Sequence, residues 1–385
     1  MTEAPTFDHI ALAGMEDPYS VVAEARGRCP VLHTDAHDGY YVVLRFADVW
    51  EAARDTATFS SANGASIPRA APVPLIPIEF DPPQHTNYRK LLLSHLGLNR
   101  VSPLEPDLVK LVNEFLDEAI ERGECDVVND VLFPMATVTL SWLFGMDRTQ
   151  AAALEENVGK IIKLGNLEAA GDLFAQFGAI IAERRQHPRG DIPSDLIAAT
   201  IEGRPLEDME IINACFTVFT AGLETVVSAA AYALELLWRN PDQRAWLVED
   251  LNRVPQSIEE LLRYISPFPG LARTTTRDVD VDGSVIPAGE KVLLLWMGAN
   301  HDETQFPEPE KLKLDRAPTK HLAFGAGPHR CVGAHLARLE LSVFLRLFLE
   351  RAPDYDIPDP SAIRRVPGAT RGMGSMPIRF RPAGS

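Results

Sequence analysis

One cysteine and its neighbours restrict this chain more than any other feature. Cys331 lies in the run Phe324-Gly325-Ala326-Gly327-Pro328-His329-Arg330-Cys331-Val332-Gly333. After it, Ala334-His335-Leu336-Ala337-Arg338-Leu339-Glu340-Leu341 has the residues and apolar spacing of a helix. Glycine lets backbone approach a neighbour closely, so Gly325, Gly327 and Gly333 predict backbone packed tightly about the sulfur. A sulfur at a helix N-terminus faces unpaired N–H groups and the positive end of the helix dipole, which favours thiolate over thiol. Three readings compete. An inert, buried cysteine in a turn is the commonest fate of a free Cys, but it leaves the three glycines and the polar His329-Arg330 pair unexplained. A zinc site could be drawn from His329, Cys331 and His335. Structural zinc, however, usually has paired cysteine or histidine ligands, and Cys29, Cys125 and Cys215 are isolated. The third reading is a site that holds an anionic sulfur and aims it at a partner.

The run is similar, position by position, to the Phe-x-x-Gly-x-(His/Arg)-x-Cys-x-Gly haem-ligand loop of the cytochrome P450 family, and it stands near the C-terminus, as it does there. The resemblance implies a fold that is mainly α with small peripheral β-sheets. Haem b would lie between the long central helix and the helix that follows the cysteine. Cys331 would be the axial thiolate of the haem iron, a ligation that favours O–O cleavage. Phe324, Gly325, His329 and Gly333 would lie against the cofactor.

Bulk properties narrow the function class. At 385 residues the chain has room for one large domain or two ordinary ones. A hydrophobic content of 46% suffices for a sizeable core, and 24% charged residues is ordinary for a soluble protein. A net charge of −17 argues against a broad nucleic-acid or anionic-membrane surface. The first twenty residues hold acids, Pro5 and Gly14 without a basic start, so neither a signal peptide nor a membrane anchor is expected. No uninterrupted apolar stretch approaches the length of a bilayer span. Four scattered cysteines make no disulfide framework and suit a reducing compartment, so the expected location is cytoplasmic.

No internal repeat, low-complexity tract or Gly/Ser linker marks a boundary, so 1–385 is expected to form a single haem domain. Short alternating segments at 31–34 and 40–44 read as a hairpin. Residues 64–83 are apolar and rich in proline (Pro68, Pro72, Pro74, Pro77), which predicts a long loop. Loops of that length in compact domains are usually functional or disordered. Helical periodicity then dominates, with helices predicted over 104–121, 127–143, 150–164, 167–185, 209–238 and 241–264. Pro267 and Pro269 end the last of these. Strands are predicted at 272–276, 279–286, 291–295 and 376–380.

Ala221-Gly222-Leu223-Glu224-Thr225 falls midway along the long apolar helix. Glycine inside a helix costs about 1 kcal/mol relative to Ala, so something should need the missing side chain; a flat cofactor on that helix face would. Glu224 and Thr225 are costly in so apolar a helix unless they find partners or do work. Taken alone, the segment reads better as a kink with a solvent-facing acid and a Thr bonded back to its own helix. Beside Cys331 it resembles the family's Ala-Gly-x-(Asp/Glu)-Thr oxygen-activation motif, which implies that Ala221 and Gly222 lie against the haem. Thr225 would then hydrogen-bond dioxygen while Glu224 relays protons from water.

Glu260 and Arg263 stand three apart on one helix face, a spacing common at surfaces and weak as evidence. In the family, Glu-x-x-Arg is a buried pair joined by a downstream arginine, here Arg316, and it holds the cysteine loop against the core. Asp81-Pro82-Pro83-Gln84-His85-Thr86-Asn87-Tyr88-Arg89 places His85 and Arg89 one turn apart on a helix that opens after two prolines. From spacing alone, a capped surface helix explains them equally well. The resemblance implies that both reach haem propionates, with Arg273 and His329, as charge-assisted donors. One departure is visible: Asn300-His301-Asp302 stands where the family usually has Asn-Arg-Asp.

These likenesses imply a soluble bacterial-type monooxygenase that inserts one atom of O2 into a small apolar substrate by hydroxylation or epoxidation. Electrons would come from a ferredoxin or flavodoxin with its reductase, docked near Cys331, where Lys90, Arg100, Arg330 and Arg338 supply local positive charge. The loop over 64–77, Thr217, Thr220, Ala221, Pro269, Gly270, Ala369 and Thr370 are the expected pocket residues. Two alternatives stay open. A peroxide-driven peroxygenase would share the thiolate, but members of that branch lack the acid–alcohol pair that Glu224-Thr225 supplies. A haem-binding sensor would leave that pair without a purpose.

Overall fold

Alternation along the early strands builds a sheet with two buried faces. In the computed structural model, which describes residues 7–71, 73–164, 167–317 and 320–380 without the side chains of 161–164, 167 and 168, Val31–Thr34 pairs antiparallel with Tyr40–Val43. The predicted hairpin is present, but it does not stand alone. Tyr40–Val43 also pairs in parallel with Lys291–Leu294, which pairs antiparallel with Leu271–Thr275, and Phe59–Ser60 completes a five-stranded mixed sheet. Successive side chains leave a strand on opposite faces. Val292, Leu294 and Val43 accordingly join a cluster with Val49, Ala52 and Trp296. Leu293, Val42 and Ala272 join another with Leu12, Tyr19 and Val22. The run Val292-Leu293-Leu294 is apolar throughout because both faces of this central strand are covered.

Cα packing groups the chain into two compact units. The first comprises Met1–Thr86, Glu259–Cys331 and Arg365–Gly372, and the second Asn87–Ile258, Val332–Arg364 and Met373–Ser385. The sheet belongs to the first. The second is built on the helix Asp208–Arg239, 32 residues and so about 48 Å long. Its start is fixed by a capping box between Glu207 and Glu210. It packs on Leu167–Gln186, Phe133–Leu143 and Ala334–Arg351. By length and composition this helix is apolar enough to cross a bilayer, although Asn213, Thr217 and Glu224 interrupt its apolar run and 56% of its most apolar window is buried within the protein. The predicted last strand is Pro377–Arg379, paired antiparallel with Glu124–Asp126. Helices dominate the described residues and the sheets are small, in keeping with the mainly α expectation.

Three predicted elements differ in detail. The helix expected over 241–264 is Pro241–Glu249, a turn at Leu251–Arg253, and Val254–Ile265. Asp250 leaves helical geometry, and Pro255, placed in the first turn of the later helix, cannot donate to a continuous one. The strand expected over 279–286 is a hairpin of Val279–Val281 and Ser284–Ile286. Its two-residue turn, Asp282-Gly283, takes positive φ at both positions, where Asp-Gly is favoured. The helix over 127–143 begins as a wider π-type turn, Val127–Leu132, before Phe133–Leu143. Most of the proline-rich segment is irregular, as predicted; Pro72 lies outside the described residues.

Candidate active site

The cysteine loop is held by its own backbone. Gly325 N donates to Leu322 O at 2.8 Å, Arg330 N to Gly327 O at 3.1 Å, and Cys331 N to Phe324 O at 2.8 Å. Gly325 and Gly327 both have φ of 66°, a left-handed conformation that glycine adopts without penalty. At Gly327 there is a second demand: a Cβ would collide with the Ala53 carbonyl oxygen. These two glycines therefore answer to turn geometry and to the passing Ala53 backbone, rather than to close approach on the sulfur. Cys331 is exposed. Gly333 caps Ala334–Arg351 without a side-chain bond.

Around this loop the first unit gathers several of the expected residues. The His85 and His329 rings lie 4.1 Å apart, His85 being buried. His329 Nε2 is 3.3 Å from Ser61 Oγ. Asp81 ties the region together: it accepts from Ser60 Oγ at 2.5 Å and from Ser61 N at 2.9 Å. Its carbonyl accepts from His85 N at 3.0 Å. Sequence reasoning assigns Asp81 no role, and its position before Pro82 and Pro83 is the one local signal for it. Phe324 is half-buried beside His321.

Arg273 differs from these in having no carboxylate within ion-pairing distance among the described residues. Its side chain is 1% exposed, it donates from Nη1 to the adjacent Ala272 O at 2.7 Å, and its buried Nε has no hydrogen-bond partner. Burial draws its pKa down to about 10, against the opposing charge of Asp81. Among the described residues no carboxylate pairs with it. A buried, uncompensated guanidinium is costly unless a group of opposite charge meets it. The residues present thus fit an anionic cofactor such as haem with its carboxylates.

The Glu260, Arg263 and Arg316 side chains converge. Arg263 Nε and Nη2 reach the two Glu260 oxygens at 2.7 and 2.9 Å, and Arg316 Nε reaches Glu260 Oε2 at 3.0 Å. Arg263 Nη1 continues to Asn300 O at 2.7 Å, and Asn300 Oδ1 accepts from Leu322 N at 2.6 Å, at the start of the cysteine loop. Asn300 is thus a positioning residue that motif reading left aside. In the departure from the family pattern, His301 is buried and stacked on Tyr19, with Nε2 2.9 Å from Tyr264 O and Nδ1 3.1 Å from Glu310 Oε2. Burial keeps its pKa below the ordinary value.

The second unit carries the acid–alcohol segment. Thr225 Oγ1 donates to Ala221 O at 2.9 Å, the back-bond that a mid-helix Thr commonly makes. Glu224 is half-buried. A Cβ on Gly222 would lie 2.8 Å from Leu140 Cδ2, so the missing side chain makes room for the neighbouring helix. Packing against Leu140 is thus a reason for this glycine beside the cofactor face expected from the sequence. Arg89 follows His85 by one turn on Gln84–Leu96 and is half-buried. Of the pocket residues, Thr217 and Thr220 spend their hydroxyls on their own helix, Thr220 donating to Phe216 O at 2.8 Å. In the first unit, Gly270 passes the strand Lys291–Leu294 so closely that a Cβ would lie 2.5 Å from Leu294 O. Pro269 accepts from Met297 N at 3.0 Å. Thr370 is buried and Ala369 exposed.

Comparison with known proteins agrees with these features. The family model for cytochrome P450 matches residues 163–352. Cytochrome P450 130 of Mycobacterium tuberculosis is 35% identical, covering 94% of this chain and 95% of that protein. A steroid C26-monooxygenase of the same species is 33% identical over 100% of this chain and 99% of its own. A Mycobacterium marinum cytochrome P450, solved in complex with pseudoionone, superposes with a TM-score of 0.89 at 27% identity, over 99% of this chain and 100% of that one. A thiol presented on a glycine turn, a buried cation without an ion-paired carboxylate in the same unit and full-length likeness thus converge: the chain belongs to the cytochrome P450 family and is a haem b monooxygenase.

Proposed function

We propose that Cys331 would supply a thiolate to the haem iron and that Arg273, His85, His329 and Arg89 would hold the haem carboxylates. Arg273 carries this reading, because its buried charge has no carboxylate partner among the described residues. When bound, the haem supplies O2 activation and insertion of one oxygen atom into an apolar substrate by hydroxylation or epoxidation. The protein's own part is to hold and to protonate. The N-terminus of Ala334–Arg351 favours the anionic sulfur at Cys331. Asn300 and the Glu260 network keep the loop in register. Thr225, whose hydroxyl now bonds Ala221 O, would hold a proton at Oγ1, and Glu224 would pass protons from water to that hydroxyl.

Residues 1–385 act as a single haem domain in this reading, which relatives of matching length support. Electrons come from a separate ferredoxin or flavodoxin, and the working location is the cytoplasm. Likeness to the steroid C26-monooxygenase makes steroid-sized hydrocarbons the first ligands to screen by induced spin-state change. In the decisive test, reduced, CO-treated protein gives the red-shifted Soret band of a thiolate-ligated haem, and Cys331→His abolishes it. Arg273→Gln lowers haem retention during gel filtration. A histidine-type CO spectrum from the wild type overturns the assignment.

A further inference from the structure

The N-terminal part of the first unit holds donor atoms that the haem chemistry leaves unused. Asp8, His9 and His37 each present one possible ligand atom, and these atoms all lie within 4.8 Å of one another. Asp8 caps the helix His9–Ala13, whereas His37 comes from the turn Ala36–Asp38 between the hairpin strands. Contacts outside the trio bring the two segments together. Thr34 Oγ1 donates to Phe7 O at 2.6 Å, and Tyr40 OH lies 2.8 Å from His9 Nδ1.

The details suit a metal ion better than a cap and a surface pair. Asp8 Oδ1 takes all the hydrogen bonds given to this carboxylate, from Ile10 N at 2.9 Å, Ala11 N at 3.4 Å and the His37 ring at 3.1 Å. Oδ2 remains available as a ligand. Helix capping explains Oδ1, an ordinary Asp–His pair explains the 3.1 Å contact, and Tyr40 partners the buried His9 ring; none of these accounts for three donor atoms within 4.8 Å of one another. Metal-binding histidines commonly hand their second ring nitrogen to a polar partner that fixes the ring, as Tyr40 OH does for His9. The Asp8 and His37 side chains are 33% and 26% exposed, so an ion can reach them from solvent. Ligands on a tetrahedral zinc ion at about 2.0–2.2 Å stand roughly 3.4 Å apart, within reach of small ring rotations here.

We propose that Asp8, His9 and His37 form a zinc site, with water in the fourth position, that clamps the N-terminal segment to the hairpin. Two imidazoles and a carboxylate are an ordinary zinc donor set, and Cu2+ and Ni2+ also favour imidazole. The test uses haem-loaded, full-chain protein washed with EDTA and titrated with ZnCl2 against a chromogenic chelator. Wild type takes up one equivalent, and zinc raises its thermal midpoint, as a ligand of the folded state must. Asp8→Ala and His37→Ala, both at partly exposed positions, weaken that equivalent at least tenfold and remove the thermal shift. The CO spectrum stays unchanged in both. Co2+ in place of zinc gives visible d–d bands in wild type and none in His37→Ala. Equal zinc affinity in wild type and His37→Ala, or no bound equivalent in wild type, overturns the proposal.

Discussion

Arg316 Nε lies 3.0 Å from Glu260 Oε2, the same oxygen that Arg263 Nε reaches at 2.7 Å. One carboxylate is thus shared by two guanidiniums, with Glu260 and Arg263 both buried. Removing one member of such a group strands charge in a poor solvent, which costs about 3–5 kcal/mol. Glu260→Gln should therefore lower the urea midpoint strongly and loosen haem retention. Arg316→Gln should cost less, because its Nη groups bond carbonyls at more exposed positions, such as Pro307 O at 2.7 Å. Equal, small shifts for both variants would remove the network from the account of stability.

Thr225 and Glu224 are separable by the fate of electrons. Thr225→Ala should keep substrate binding and electron uptake while diverting NADPH equivalents to hydrogen peroxide. Glu224→Gln should slow turnover with the haem spectrum intact. A removed proton donor of this kind typically costs 10²–10⁴-fold in rate. Peroxide and product are measured together in one reconstituted assay; full coupling at wild-type rate in both variants would contradict the relay.

Partner reduction should depend on salt. Electron carriers of this kind are usually acidic, and the chain itself carries −17, so attraction must be local. Lys90, Arg100 and Arg330 are exposed and Arg338 is half-buried. Exposed charges are screened over about 10 Å at roughly 0.1 M salt, so the rate should fall as ionic strength rises. Arg338→Glu should weaken partner-driven reduction and leave dithionite reduction and substrate affinity alone. A salt-independent rate, unchanged in Arg338→Glu, would move the docking site elsewhere.

His301 predicts an acid limit on stability. Burial holds its folded pKa below the ordinary 6.5, so between the folded value and about 6.5 the unfolded chain binds a proton that the folded chain refuses. Stability is therefore complete above about pH 6.5 and declines as pH falls below it. Urea midpoints from pH 7.5 to 5.5 should slope less steeply in His301→Gln than in wild type, and identical slopes would show that His301 does not report on folding.

Local chemistry was legible in the sequence wherever the controlling interactions are close along the chain. The glycine turn before Cys331, the long helix with Glu224 and Thr225, the early hairpin and the final strand all follow from spacing and side-chain type. Pro255 and Asp282-Gly283 were equally local signals, and they mark where a helix breaks and a strand folds back. What only the tertiary structure decided involves partners distant in sequence. Tyr40–Val43 lies parallel to Lys291–Leu294 because that pairing buries both faces of an apolar strand. Gly222 is explained by Leu140, and Gly327 by Ala53, through close packing that no periodicity encodes. The same holds for Arg273: its sequence marks a cation on a strand, but burial without an ion-paired carboxylate is what makes that cation a site.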